Sequence, residues 1–245
     1  MLFGVSPHSA LLGIKVSDAR LGGTRADLML HRFVFLTALL LAGMVATERA
    51  QAHPHVWVTM TEELLYAPDG SVTGVRNAWT FDDMFSAFAT QGLEQKTKGT
   101  FTRAELAALA KVNIESLKDY AYFTYAKANG KNLKDAFLPP TDYFLDYEPK
   151  AAVLTLHFTM PFKTPVKAKT IEVEIYDEEF FIDFGFDSNN PVRLVGAPAD
   201  CALSVTKPQD ANFPAVLRLD KNFATSEANM GMGANFSNKM TVTCQ

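Results

Sequence analysis

Residues 55–66 read HVWVTMTEELLY. Successive side chains alternate across an extended chain, so Val56, Val58 and Met60 share one face and Trp57 and Thr59 the other. The β-branched and aromatic content supports a strand. Pro68-Asp69-Gly70 is a turn signal, and 72–81 (VTGVRNAWTF) reads as the returning strand. The domain therefore opens with a β-hairpin.

Asp82-Asp83 follows, then MFSAFATQGL. Phe85, Phe88 and Ala89 recur at helical spacing, which predicts a short helix capped by one of the two aspartates. Thr102-Arg103-Ala104-Glu105 is a capping box, and Leu106, Leu109, Ala110 and Leu117 form an apolar stripe to about Lys118. Tyr120–Tyr125 fits either a strand or a helix tail. Residues 142–148 and 151–159 read as an antiparallel pair split by Pro149-Lys150.

In 170–176 Ile171, Val173 and Ile175 alternate with Glu172 and Glu174. In 180–186 (FFIDFGF), Phe180, Ile182, Phe184 and Phe186 fall on one side. Residues 193–195, 202–205 and 239–244 are further strands. With no repeat or linker, the pattern predicts one α+β domain. It is an antiparallel β-rich framework with two helices inserted after the first hairpin.

Upstream of the hairpin the chain changes character. Residues 33–46, FVFLTALLLAGMVA, are uncharged and mostly apolar, and His31 and Arg32 precede them. Spanning a bilayer takes about 20 such residues, whereas this run has the length of a signal-peptide core. Ala50-Gln51-Ala52 offers small residues at the positions a signal peptidase reads. The expectation is a leader over 1–52 cut after Ala52, with a mature domain over 53–245 in the periplasm and no stable membrane insertion after cleavage. A membrane anchor is the alternative. The 28 residues before Met29 are a poor leader start, which suggests translation from Met29.

The whole chain of 245 residues has a formal net charge of −4, 48% hydrophobic and 20% charged residues. That excludes a collagen-like or disordered chain, and it carries no basic surplus for nucleic acid. The leader holds five basic and three acidic residues, so the mature 193 residues carry −6. Two cysteines remain, Cys201 and Cys244. In an oxidising compartment they most simply form one disulfide.

Three histidines remain in the mature part, and two stand at its start as His53-Pro54-His55. Residues i and i+2 of an extended chain point the same way. Two imidazoles on one face begin a Zn, Ni, Co or Cu site, and the freed α-amine of His53 would add a third nitrogen. Pro54 has no amide proton to lose, which disfavours a square-planar peptide chelate. The ordinary reading is two solvated histidines on a frayed terminus.

Asp82 and Asp83 could add oxygen ligands, or could only cap the helix. Within Asp177-Glu178-Glu179, followed by Asp183 and Asp187, Asp177 is the best candidate to face a site; the ordinary reading is a solvated acidic turn. Glu178 is a lesser candidate. His157, on the face of Val153 and Thr155, is another lesser candidate; its ordinary reading is a structural or surface histidine. No G-x-S-x-G, H-E-x-x-H, phosphate loop or dinucleotide fingerprint is present.

AHPHVWV, WTFDDMFSAF, YDEEFFIDF, GAPADC and GMGANFSNKMTVTC occur in that order. Together they resemble the domain-of-unknown-function family numbered 1007, over roughly 53–245. The resemblance implies an exported component of a transport system, often linked to nickel/cobalt-type transporters. It points to His53, His55, Asp82, Asp177 and the Cys201–Cys244 pair. The family's Y-D-P-x-Y-F pattern stands here as Tyr176-Asp177-Glu178-Glu179-Phe180-Phe181, with Glu178 for proline and Phe180 for tyrosine.

The expected function is a periplasmic accessory that binds a divalent transition metal through His53 and His55 plus carboxylates and works with a membrane metal transporter or permease. The alternatives are a metal-dependent enzyme, with a copper histidine brace or zinc-bound water, and a metal-free envelope binding protein.

Overall fold

Strand β1 (Val56–Tyr66) begins where the alternation begins, and β2 (Val72–Phe81) returns antiparallel to it, with Val58 opposite Phe81 and Leu64 opposite Val75. The computed structural model describes residues 55–208 and 236–245, all within the unit Ala52–Gln245. The expected leader, the start at Met29 and His53 lie outside the described residues. Among the described residues, no helix is long and apolar enough to cross a membrane.

Two strands, β5 (Thr141–Glu148) and β6 (Val153–Val166), extend the hairpin on its β2 side. Gly74 sits at a register shift between β2 and β6. A Cβ there would lie 2.7 Å from the carbonyl oxygen of Met160, so the strands approach this closely only because the residue has no side chain.

The other edge of β1 is covered by two short strands in succession. β8 (Ile182–Phe186) runs parallel to Val56–Met60, and β9 (Val192–Val195) runs parallel to Glu62–Leu65. The framework is antiparallel as expected, apart from these two pairings.

A second sheet is antiparallel throughout. Its strands are β3 (Thr124–Ala128), β4 (Lys131–Asn132), β7 (Thr170–Ile175), β10 (Ala202–Thr206) and β11 (Asn238–Thr243), in the order β10-β11-β7-β3-β4. The two sheets share one buried cluster. Trp79 meets Phe158 and Phe184 edge-on at 4.8 and 4.9 Å, and Val173, Ile175, Met240 and Val242 join from the second sheet. Such aromatic pairs add about 1 kcal/mol each beyond the area they bury.

Both helices lie between β2 and β3, as expected. Helix α1 (Asp83–Ala89) is capped by Asp82, and α2 (Arg103–Leu117) starts with the complete Thr102–Glu105 capping box. The buried stripe of α2 is Leu106, Ala110 and Ile114. It is turned slightly from the expected one, because Leu109 and Leu117 are only partly buried against the cluster. Tyr120–Tyr125 is both things the pattern allowed: a 3-10 turn over Lys118–Phe123 leads into β3. Ala121, Tyr122 and Phe123 there adopt φ of 51°, 53° and 51°.

Glu62 is an acid in this core, 1% exposed. Its Oε1 accepts from the Trp79 indole at 2.9 Å, and its Oε2 has no partner. Asn77, its register partner on β2, likewise keeps Oδ1 unpaired. Burial pushes the carboxyl well above its usual range, and the indole opposes this only in part.

With the folded pKa raised, the unfolded chain releases its proton first as pH rises. Stability then falls above about pH 4.5 and levels off past the folded pKa. Glu62→Gln removes this loss. Thermal melts should show the variant more stable than the parent at pH 7 and the two converging at pH 4.

The disulfide joins Cys201, just before β10, to Cys244, just after β11, 43 residues apart. Cross-linking a loop of that length restricts the unfolded chain by about 4 kcal/mol in the entropy model. Urea unfolding with and without a reductant should show a loss approaching that figure, and no change would mean the strand pairing alone holds the ends.

Candidate functional site

The start of β1 is held from two sides. Asp177 follows β7, at the corner where the chain leaves the second sheet for the first. It is 5% exposed, and its carboxylate accepts three backbone N–H groups. Oδ1 takes Glu179 at 3.0 Å, and Oδ2 takes Phe181 at 2.9 Å and Ile182 at 3.0 Å. Buried N–H groups in a turn must find acceptors, and an anion is a strong one.

The carbonyl of Phe181 then accepts from His55 N–H at 2.8 Å and Val56 N–H at 3.4 Å. The His55 and Phe181 rings lie 4.8 Å apart. The ordinary reading of Asp177 as a solvated turn residue is therefore not what the fold uses.

On the other side Asp82 does two jobs. Its Oδ1 accepts from Phe85 N–H at 2.8 Å, which caps α1, and its Oδ2 accepts from Trp57 N–H at 2.9 Å. Asp82 N–H donates back to the Trp57 carbonyl at 3.0 Å. Three of the positions singled out in the sequence, His55, Asp82 and Asp177, thus meet around residues 55–57. The carboxylate oxygens of the two aspartates are engaged by backbone: Asp82 braces the histidine segment directly, and Asp177 braces it through Phe181. Asp83 is exposed in the first turn of α1, where its charge suits the helix dipole.

Other candidates lie apart. Glu178 is exposed and accepts from the Tyr125 hydroxyl at 3.2 Å. His157 is on β6, level with Ala78 and hence with Thr61 of β1, away from His55. Its ring stacks on Phe144 at 4.5 Å, with Arg103 3.7 Å from the same ring. Its Nε2 lies 3.4 Å from Asp146, which the Arg103 guanidinium also grips at 2.6 and 2.8 Å. Burial lowers its pKa; Asp146 opposes this and Arg103 adds to it. These contacts hold its ring on Phe144 and beside Asp146.

One residue gained importance only in three dimensions. Asp183 pairs with Trp57 across the parallel β1–β8 ladder, on the outward face that also carries His55. It is half-buried, burial pushes its carboxyl up, and its carboxylate makes no hydrogen bond or ion pair among the described residues. The alternation I-D-F-G-F sets Asp183 opposite Phe184, but only the parallel pairing brings it beside β1. Among the described residues no three His, Cys, Asp or Glu side chains converge as a metal site.

Replacing Asp177 by Asn puts an N–H donor where three backbone donors converge. Leaving buried donors unpaired costs about 1–3 kcal/mol. Urea denaturation should show that loss for Asp177→Asn, and a loss of about 1 kcal/mol for the cap variant Asp82→Ala. Parent-like stability in Asp177→Asn would show that the carboxylate does not hold the corner.

Known proteins offer three comparisons. An uncharacterised 15.5 kDa protein of Spirochaeta aurantia, from the trpE 3′ region, is 34% identical over 97 residues. That match spans 39% of this chain and 66% of the relative, just under two thirds of its length. An acetylcholine-binding protein of Biomphalaria glabrata covers 81% of this chain and 88% of its own, with 9% identity and a TM-score of 0.32; at that score the likeness says nothing about function. The family model described as "Protein of unknown function (DUF1007)" matches residues 38–244. The chain belongs to that family.

Proposed function

We propose that this chain is an exported accessory that binds one divalent transition-metal ion, Zn, Ni, Co or Cu, through His53 and His55, and passes it to or from a membrane transporter. The observation that carries the reading is the bracing of residues 55–57 by Asp82 and Asp177. A terminal segment kept only for its link to the leader has no need of such support. Borderline imidazole ligands suit these ions, and a carboxylate can complete the set.

Asp183 is the oxygen donor best placed to join the site, its carboxylate being on the face of His55 and without a partner among the described residues. Asp82 and Asp177 remain further oxygen candidates, but their present work is orientation of the kind that commonly tunes metal affinity.

Calorimetric titration of the mature protein with each ion tests this. The expected result is saturable binding of one ion, abolished by the His53→Ala, His55→Ala pair. Asp183→Asn and Asp82→Asn should each weaken it by about tenfold. Unchanged stoichiometry and affinity without the two histidines would overturn the reading.

A further inference from the structure

A cleft of about 800 Å³ opens beside β3, far along the sequence from His55 and built from other elements. Its volume is within the range of small-molecule sites, roughly 300–1,000 Å³. Leu133, Ala136, Phe137 and Met160 give it an apolar lining, and Phe137 is fixed by stacking on Phe162 at 4.5 Å.

The charge around it is unlike that of the chain. Five lysines face two carboxylates, Asp135 and Glu174, in a protein of net charge −4. Lys127 and Lys239 are occupied: their Nζ atoms grip Glu174 at 2.7 and 2.5 Å, and Lys127 also reaches Glu172 at 3.0 Å. Lys118, Lys134 and Lys163 make no ion pair among the described residues. Counting Glu172 as well, the lining keeps a positive surplus of two.

Three phenols, Tyr122, Tyr125 and Tyr176, also line the cleft. Burial pushes all three up, so they stay protonated and able to donate. The Tyr125 hydroxyl donates a hydrogen bond to Glu178, whereas the Tyr122 and Tyr176 hydroxyls form no hydrogen bond among the described residues. The left-handed run Ala121–Phe123 carries Tyr122 to this wall. Such backbone is costly and persists where the surroundings hold it.

Unpaired cations, free neutral donors and an apolar lining together select one ligand class. We infer that this cleft binds a small amphiphilic organic anion, its acidic head on the lysines and tyrosines and its apolar body along Leu133 and Phe137. A cation is excluded by the surplus charge, and an inorganic anion would leave the apolar surface wet.

Dodecanoate is a suitable probe, with dodecyltrimethylammonium as the control of opposite charge and inorganic phosphate as the headgroup alone. Calorimetry should show saturable binding of one dodecanoate per chain, little binding of the cation, and weak binding of phosphate. The Lys134→Glu, Lys163→Glu pair touches exposed side chains without ion partners, so circular dichroism should be unchanged. It should weaken dodecanoate by about tenfold or more, and added salt should do the same in the parent.

Ala136→Trp, which fills the cleft, should block binding while leaving the metal titration intact. The His53→Ala, His55→Ala pair should leave dodecanoate binding intact, which separates this site from the metal reading. Absence of saturable binding, equal affinity for the cation, or affinity unmoved by charge reversal would each overturn the inference.

Discussion

One carboxylate holds the corner at which the chain leaves one sheet for the other. Asp177 ends the run that begins with β7, and its three backbone hydrogen bonds set the path of residues 178–182. From that corner β8 enters parallel to β1, and β9 follows on the same edge. An open β1 edge would present a row of unpaired backbone groups. The covering strands can reach it only if the corner is turned correctly. A short acidic side chain suits the task because three backbone donors of this turn converge on it.

The same corner connects the fold to the proposed function. The Phe181 N–H is held by Asp177 and the Phe181 carbonyl holds His55, so the histidine's backbone position is linked to the sheet crossing. Asp82 does the equivalent from the helix side while capping α1. Two aspartates that a motif comparison would enter as ligands thus have first claims on them from the backbone. A neighbouring carboxylate without such claims, Asp183, is the freer donor.

Most strands were legible because their inward and outward residues differ sharply. Val56, Val58 and Met60 alternate with Trp57 and Thr59, and Ile171 and Val173 alternate with Thr170 and Glu172, so period-two patterning marks both sheets. The α2 start was equally legible, because a capping box is local chemistry. Which partner each strand takes was not legible. Parallel pairing of β1 with residues more than a hundred positions away leaves no local trace, and the role of Asp183 depends on it. Glu62 is similar: between Thr61 and Glu63 it looks like part of a solvated charge run, yet the alternation of β1 carries it into the core against Trp79.

By itself the sequence determined the secondary elements, the insertion of two helices after the first hairpin and the concentration of histidine at 53–55, since these depend on neighbours along the chain, and the cysteine pair, since there are only two cysteines. Tertiary structure alone decided which residues around His55 are braces and which are unengaged. It also decided that lysines from β3, β6, β11 and the 3-10 turn gather around one apolar cleft in an acidic protein. Charges distant in sequence become a field only when the backbone brings them within a screening length of one another.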